Sequence, residues 1–255
     1  MTHFGLFDSG IGGLTVLKRV REAFPGCQYT YVGDSARAPY GGRPTEELWE
    51  INKGIIEFLI AQGVTHFIMA CNTSCSQFLE RIRQNYGLPV TGIVTSVAGV
   101  LDRHVKRVVV LATQATVNTH AYKAAIEAEY KEIDVIEMAC PTLVPIIERG
   151  EFNDADTAEV KRVLALALEY RPSHIVMGCT HYPFLEEIWK RQCPSTVTLI
   201  DPAYGVIKEL MRENRHLEDC GNGSVTYFVS GNMDRFKAVL GDDVSILEYS
   251  GLATI

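Results

Sequence analysis

The 255-residue chain carries 24 Lys+Arg against 31 Asp+Glu, for a net charge of −7, and is 47% hydrophobic. With no basic block, that balance excludes the electrostatic footprint of a nucleic-acid or membrane-surface protein and favours small molecules as partners. Residues 1–10 lack the basic and apolar regions of a secretory signal, and no apolar run approaches the roughly 20 residues of a spanning helix, so a cytoplasmic protein is expected.

Strands are predicted at residues 4–7, 29–33, 66–70, 89–93, 107–112, 134–138, 174–178, 196–200 and 225–229, with helical patterns between them such as 46–63, 160–171 and 184–192. The first strand runs into FDSGIGG. The third glycine of a dinucleotide fingerprint would fall at Thr15, so that reading fails. Asp8 at the strand end suits an ammonium group, repels phosphate and can polarise or orient a nearby thiol, which makes it a candidate catalytic residue, while Gly10, Gly12 and Gly13 read as turn and close-packing positions. After the second strand comes RAPYGGR, a Pro/Gly loop that offers Tyr40 and the Gly41 backbone to a ligand. The third strand ends in ACNTS, with Cys71, Asn72 and Thr73. Later segments supply CPTLVPIIERG, with Glu148, and GCTHYPFL, with Cys179, Thr180 and His181, the histidine standing two residues beyond Cys179 as a candidate catalytic acid/base partner of that thiol.

Such alternation implies an α/β fold of crossover units, each sheet mostly parallel and flanked by helices, with ligands beyond the carboxyl ends of the strands. The chain also repeats itself. Residues 51–73 align with 156–181 as helix, turn, His, three apolar residues, a small residue and Cys, and each copy is preceded at a similar distance by strand, polar turn and helix. Two pseudo-symmetric lobes with a cleft between them are expected. From about Tyr204 onward one further strand and helix remain to complete one lobe or the other.

The repeat singles out Cys71 and Cys179. The other cysteines (27, 75, 140, 193 and 220) are assigned to packing, and seven scattered thiols argue against a disulfide framework. Each singled-out thiol sits at a strand's carboxyl end directly before a helix, with Thr73 as a cap and Pro183 at a first helical position. That placement is expected to lower its pKa towards neutrality. Two thiols facing each other across a small substrate are what a cofactor-free racemase needs: one removes the α-proton while the other protonates the opposite face. Three alternatives compete. A cysteine-nucleophile amidase using His181 leaves one thiol idle; a zinc site of Cys71, Cys75, Cys179 and His181 matches no usual ligand spacing; a two-lobe binding module needs no thiol at all. His66 and His174, which open their strands, are read as structural.

From Phe4 to about Pro202, the motifs FDSGIGGLTV, GDSARAPYG, ACNTS, PVTGI, CPTLVPIIERG and GCTHYPFL resemble the glutamate racemases of bacterial cell-wall synthesis. The resemblance implies a pyridoxal-independent racemase with no cofactor and no metal, paired bases at Cys71 and Cys179, and substrate contacts at Asp8, Ser9, Tyr40, Gly41, Asn72, Thr73, Thr116, Glu148, Thr180 and His181. It further implies a homodimer, D-glutamate supplied to peptidoglycan and hence to cell shape, and a first lobe of residues 1–95 plus 205–255 around a second lobe of 96–204. Related aspartate racemases often carry Glu where this chain has His181, which favours glutamate. Two departures stand out. Ser74-Cys75-Ser76 replaces the family's usual Ala-Ser-Ala, and the first strand begins almost at Met1, so activation by a cell-wall precursor is not expected.

Overall fold

A computed structural model describes residues 2–213 and 222–250; Cys220 lies outside the described residues. The chain opens with β1 (His3–Asp8), α1 (Gly13–Ala23), β2 (Gln28–Gly33), α2 (Thr45–Ala61), β3 (His66–Met69), α3 (Asn72–Asn85) and β4 (Val90–Gly92). A 3-10 segment, Thr95–Val100, leads into β5 (Arg107–Ala112), α4 (Gln114–Thr119), α5 (Ala121–Glu129), β6 (Asp134–Ala139), α6 (Leu143–Arg149), α7 (Asp154–Glu169), β7 (His174–Gly178), α8 (Glu186–Gln192) and β8 (Thr198–Ile200). Then follow α9 (Ala203–Glu213), β9 (Val225–Val229), α10 (Met233–Leu240) and β10 (Ile246–Glu248).

The strands form a six-stranded sheet, β10-β9-β2-β1-β3-β4, and a four-stranded sheet, β6-β5-β7-β8. Every strand pairing is parallel. Within them, β2-β1-β3-β4 and β6-β5-β7-β8 have the same order, so the sequence repeat is also a topological one. In each copy the first strand is central and the third, which carries the singled-out cysteine, lies beside it. The tail adds β9 and β10 to the free edge of β2, in the first sheet. Sequence patterning predicts only β9 there; β10 is three half-exposed or exposed residues at a sheet edge, too short to alternate visibly.

Burial explains the element choice. All six residues of β1 are buried, as expected of a parallel strand covered on both faces. α1 buries Gly13, Leu14, Val16, Leu17 and Val20, one stripe at helical spacing. In the second sheet, period-two alternation splits β5 between two cores. Val108, Val110 and Ala112 join the core shared with the first sheet, whereas Val109 and Leu111 pack with Leu143, Val160 and Trp189 on the outer side. The lobes therefore share buried apolar surface. Their strand ends meet at a cavity.

Candidate functional site

That cavity, of about 490 Å³, is lined from the first lobe by Ser9, Tyr40, Gly41, Cys71, Asn72 and Thr73, and from the second by Thr113, Cys140, Glu148, Cys179, Thr180 and His181, among others. Both singled-out cysteines thus reach one space from separate sheets. Each is almost wholly buried, Cys71 at 4% and Cys179 at 5% exposure, so neither thiol faces bulk water.

Asp8 and Thr116 do not line the cavity but stand one layer behind it. Asp8 is fully buried at the end of β1, accepting from the Gly10 N–H (3.0 Å) and from the Thr180 hydroxyl (3.0 Å). Burial pushes its pKa up, while the His181 charge and the Thr180 hydroxyl oppose the rise. Thr116 lies 3.0 Å from the Thr113 hydroxyl, and it is Thr113, bonded in turn to Thr73 across the lobes (3.1 Å), that reaches the wall. Thr113 directly follows the second copy's central strand, as Asp8 closes the first, a correspondence the repeat itself contains.

The expected cap at Thr73 is not one. The N-cap of α3 is Cys71, and Thr73 spends its hydroxyl on Thr113 because the lobes approach there. Nor does α-helix follow Cys179 directly: Pro183 opens a 3-10 turn, Tyr182–Leu185, and α8 begins only at Glu186. The expected lowering of the thiol pKa fails at Cys71, where it is pushed up to about 12. Burial dominates, the Asp8 charge adds to it, and hydrogen bonds from Ser74 and Ser9 only partly oppose it. Desolvation exceeds what one helix terminus supplies.

His181 is held on both ring nitrogens, Nδ1 at 3.8 Å from Cys179 Sγ and Nε2 at 2.6 Å from Glu148 Oε1. Burial alone would lower its pKa, but Cys179, Glu148 and Asp8 together outweigh that and raise it to about 10. That convergence favours the protonated ring. Close approach of the lobes at this point depends on Gly12, where a Cβ would lie 2.3 Å from Thr180 Oγ1 and 2.5 Å from His181 Nδ1.

Asn72 ties the cysteine-bearing segments together. With its amide oriented to satisfy its neighbours, the nitrogen donates to the Gly178 carbonyl (3.3 Å) and the Tyr122 hydroxyl (2.5 Å), and the oxygen accepts from the Thr180 N–H (3.2 Å). Tyr40 is buried rather than an exposed turn residue. Its hydroxyl donates to Asp34 Oδ2 (2.6 Å), so only its ring and backbone are free to meet a ligand. Asp34, which sequence reasoning passed over, also accepts from Arg37 (2.7 and 2.9 Å) and Ser230 (2.8 Å), fixing the loop that carries Tyr40 and Gly41.

Several further lining residues were not anticipated, Cys140, Gln114 and Asn232 among them. Cys140, assigned to packing, faces the cavity because β6 ends level with β5 there, with the Cys140 N–H bonded to the Ala112 carbonyl (2.9 Å). Gln114 lies in the first turn of α4, and Asn232 comes from the C-terminal tail, far in sequence from the repeat that marks the site. Cys75 is buried behind Cys71, with its sulfur against Gly92. His66 bonds Thr91 (2.8 Å) and His174 lies 3.1 Å from Asp102, so both are structural. No cluster of three or more His, Cys, Asp and Glu side chains fit to hold a metal ion occurs among the described residues, and no described helix is long and apolar enough to cross a membrane.

Two parallel α/β sheets each bring a buried thiol to one interlobe cavity, one of them beside His181, the architecture of a two-lobed isomerase. The chain belongs to the Asp/Glu/Hydantoin racemase family, which it matches over residues 14–209. It is 39% identical over 236 residues to a glutamate racemase of Gloeobacter violaceus, covering 91% of this chain and 88% of the relative. Among solved structures it resembles a glutamate racemase of Bacillus anthracis (TM-score 0.86, 28% identity, 97% of each chain). A glutamate racemase of Francisella tularensis in complex with D-glutamate is similarly close (TM-score 0.84, 29% identity, 100% of this chain and 99% of that one).

Proposed function

We propose that the protein interconverts L- and D-glutamate without a cofactor by a two-base mechanism, with Cys71 and Cys179 as the bases. The single observation that carries this reading is the presence of both thiols on one buried cavity, contributed by equivalent strands of a repeated fold. In one direction the Cys179 thiolate takes the Cα proton while the Cys71 thiol delivers its own to the opposite face. The reverse direction exchanges the roles, so sulfur and carbon protons balance in each turnover. The raised pKa of Cys71 suits a thiol waiting to donate.

A dicarboxylate substrate fits the chemistry of the lining. Among the described residues no Lys or Arg lines the cavity, so both carboxylates fall to neutral donors there: the N-terminal N–H groups of α3, Ser9, Asn72, Thr73, the Gly41 backbone and Thr180, with a protonated His181 as the cation beside them. Asp8 acts from behind as the counter-charge for the ammonium group and for His181, Thr116 acts through Thr113, and Glu148 orients His181. The two-lobe division at residues 1–95 plus 205–255 and 96–204 is part of this reading. So are a cytoplasmic homodimer and a role in supplying D-glutamate for peptidoglycan, all three resting on family resemblance.

The test is incubation with L-glutamate in deuterium oxide. Solvent label at Cα with loss of optical activity supports the reading, whereas released ammonia supports a thiol amidase. Cys71→Ser and Cys179→Ser should each lower racemisation by about 10²- to 10⁴-fold with the fold intact. Wild-type turnover in both single variants would end the two-base assignment.

A further inference from the structure

The tail that completes the first sheet also reaches across the cleft. Arg235, on α10, donates from Nη2 to the Ile147 carbonyl at the end of α6 (2.8 Å), a contact between residues 88 apart in sequence. The close approach is built into the backbone. Gly150, which caps α6 with φ +86, has the Arg235 guanidinium where a Cβ would stand, with Nη1 at 2.4 Å and Cζ at 2.7 Å. The guanidinium takes no carboxylate within ion-pair distance among the described residues, and its Nε is buried without a hydrogen-bond partner. Placing a cation there costs desolvation that a surface site would avoid. What it grips is the last turn of α6, which carries Glu148, and it grips the backbone, leaving the carboxylate turned to His181 at 2.6 Å.

We propose that Arg235 is a positioning residue that clamps the C-terminus of α6 across the lobe boundary, holding Glu148 against His181 and so orienting the imidazole beside Cys179. The inference rests on the proposed racemase reading for its kinetic consequence, though not for its structural one. It gives the C-terminal tail a part in the site beyond the rim residue Asn232, which begins the same helix.

Arg235→Ala tests it with two readouts. The first is glutamate racemisation: kcat should fall about tenfold or more, as expected for a reacting group displaced by a fraction of an ångström to 1 Å, with KM within about twofold, and millimolar guanidinium should restore part of the loss. An unchanged kcat, or a lower melting temperature alone, would overturn the clamp. The second readout needs no substrate. The groups facing the His181 ring are Cys179, Glu148 and Asp8. Loosening Glu148 should move the imidazole titration, followed by NMR of labelled histidine, below its wild-type position. Loss of a cation acting only through space would move it upward and refute the positional role. Should the alanine variant not fold, Arg235→Lys decides, since it keeps the charge without the planar fork: reduced kcat at constant KM supports the clamp and wild-type kcat overturns it. An inactive wild-type enzyme with a lowered His181 titration in the variant would sink the racemase reading and leave the clamp standing.

Discussion

Gly12→Ala isolates the contact between the lobes at the site. Gly12 has φ −55 and ψ −44, a conformation every residue adopts, so the backbone imposes no need for glycine. Space does. The new Cβ would sit 2.3 Å from Thr180 Oγ1 and 2.5 and 2.7 Å from His181 Nδ1 and Cε1, about 1 Å inside ordinary contact at ~3.5 Å. Neither neighbour is free to swing away, because Thr180 donates to Asp8 at 3.0 Å and His181 is pinned by Glu148 at 2.6 Å. The lobes must part by a comparable distance, carrying His181 away from its place beside Cys179. Overpacking of this size costs about 1–3 kcal/mol of stability, and a 1 Å misplacement of a reacting group costs about 10²-fold in rate. Thermal unfolding and deuterium incorporation at Cα, measured side by side, should show a melting temperature lower by several degrees and kcat lower by about two orders of magnitude. Gly99→Ala is the control, since nothing lies within 4 Å of its Cβ. Turnover of Gly12→Ala within twofold of wild type would show that the close approach of the lobes has no bearing on the chemistry.

Two other outcomes follow from buried polar groups. Tyr122→Phe removes the hydroxyl that meets the Asn72 amide at 2.5 Å inside the lobe boundary, and urea unfolding should show a loss of about 1–3 kcal/mol for an amide left short of a partner; a loss under ~0.5 kcal/mol would count against Asn72 as a tie between lobes. His66 has its pKa lowered by burial from 6.5 to about 4. Above pH 6.5 the ring is neutral in both states; below it the unfolded chain binds a proton the folded one refuses, so stability falls as pH drops through that window, by roughly 3 kcal/mol at most. His66→Gln should lose this part of the acid sensitivity, and an unchanged pH–stability curve would refute the assignment.

How much was legible in the sequence differs from residue to residue. The nine predicted strands are all present because each carries a short apolar run, continuous where both faces are covered as in β1 and β7, and β10 escaped because an exposed edge strand of three residues carries no such pattern. The repeat marked Cys71 and Cys179, since duplicated local context survives in sequence. Asp34, Cys140 and Asn232 were invisible as site residues because each takes its meaning from neighbours far along the chain: Asp34 from Ser230, Cys140 from β5, Asn232 from the cavity it lines.

What the amino-acid order settled by itself was therefore the periodic part: alternating strand and helix, two copies, and a thiol at the same point of each. The tertiary structure decided the protonation landscape and the depth of each group. A helix start after a strand suggests an acidic thiol, but burial beside Asp8 drives Cys71 the other way, up to about 12, while the convergence of Cys179, Glu148 and Asp8 on one ring favours protonation of His181. Local sequence encodes which backbone groups are nearby. Only packing fixes how much water is removed and which charges from other segments take its place.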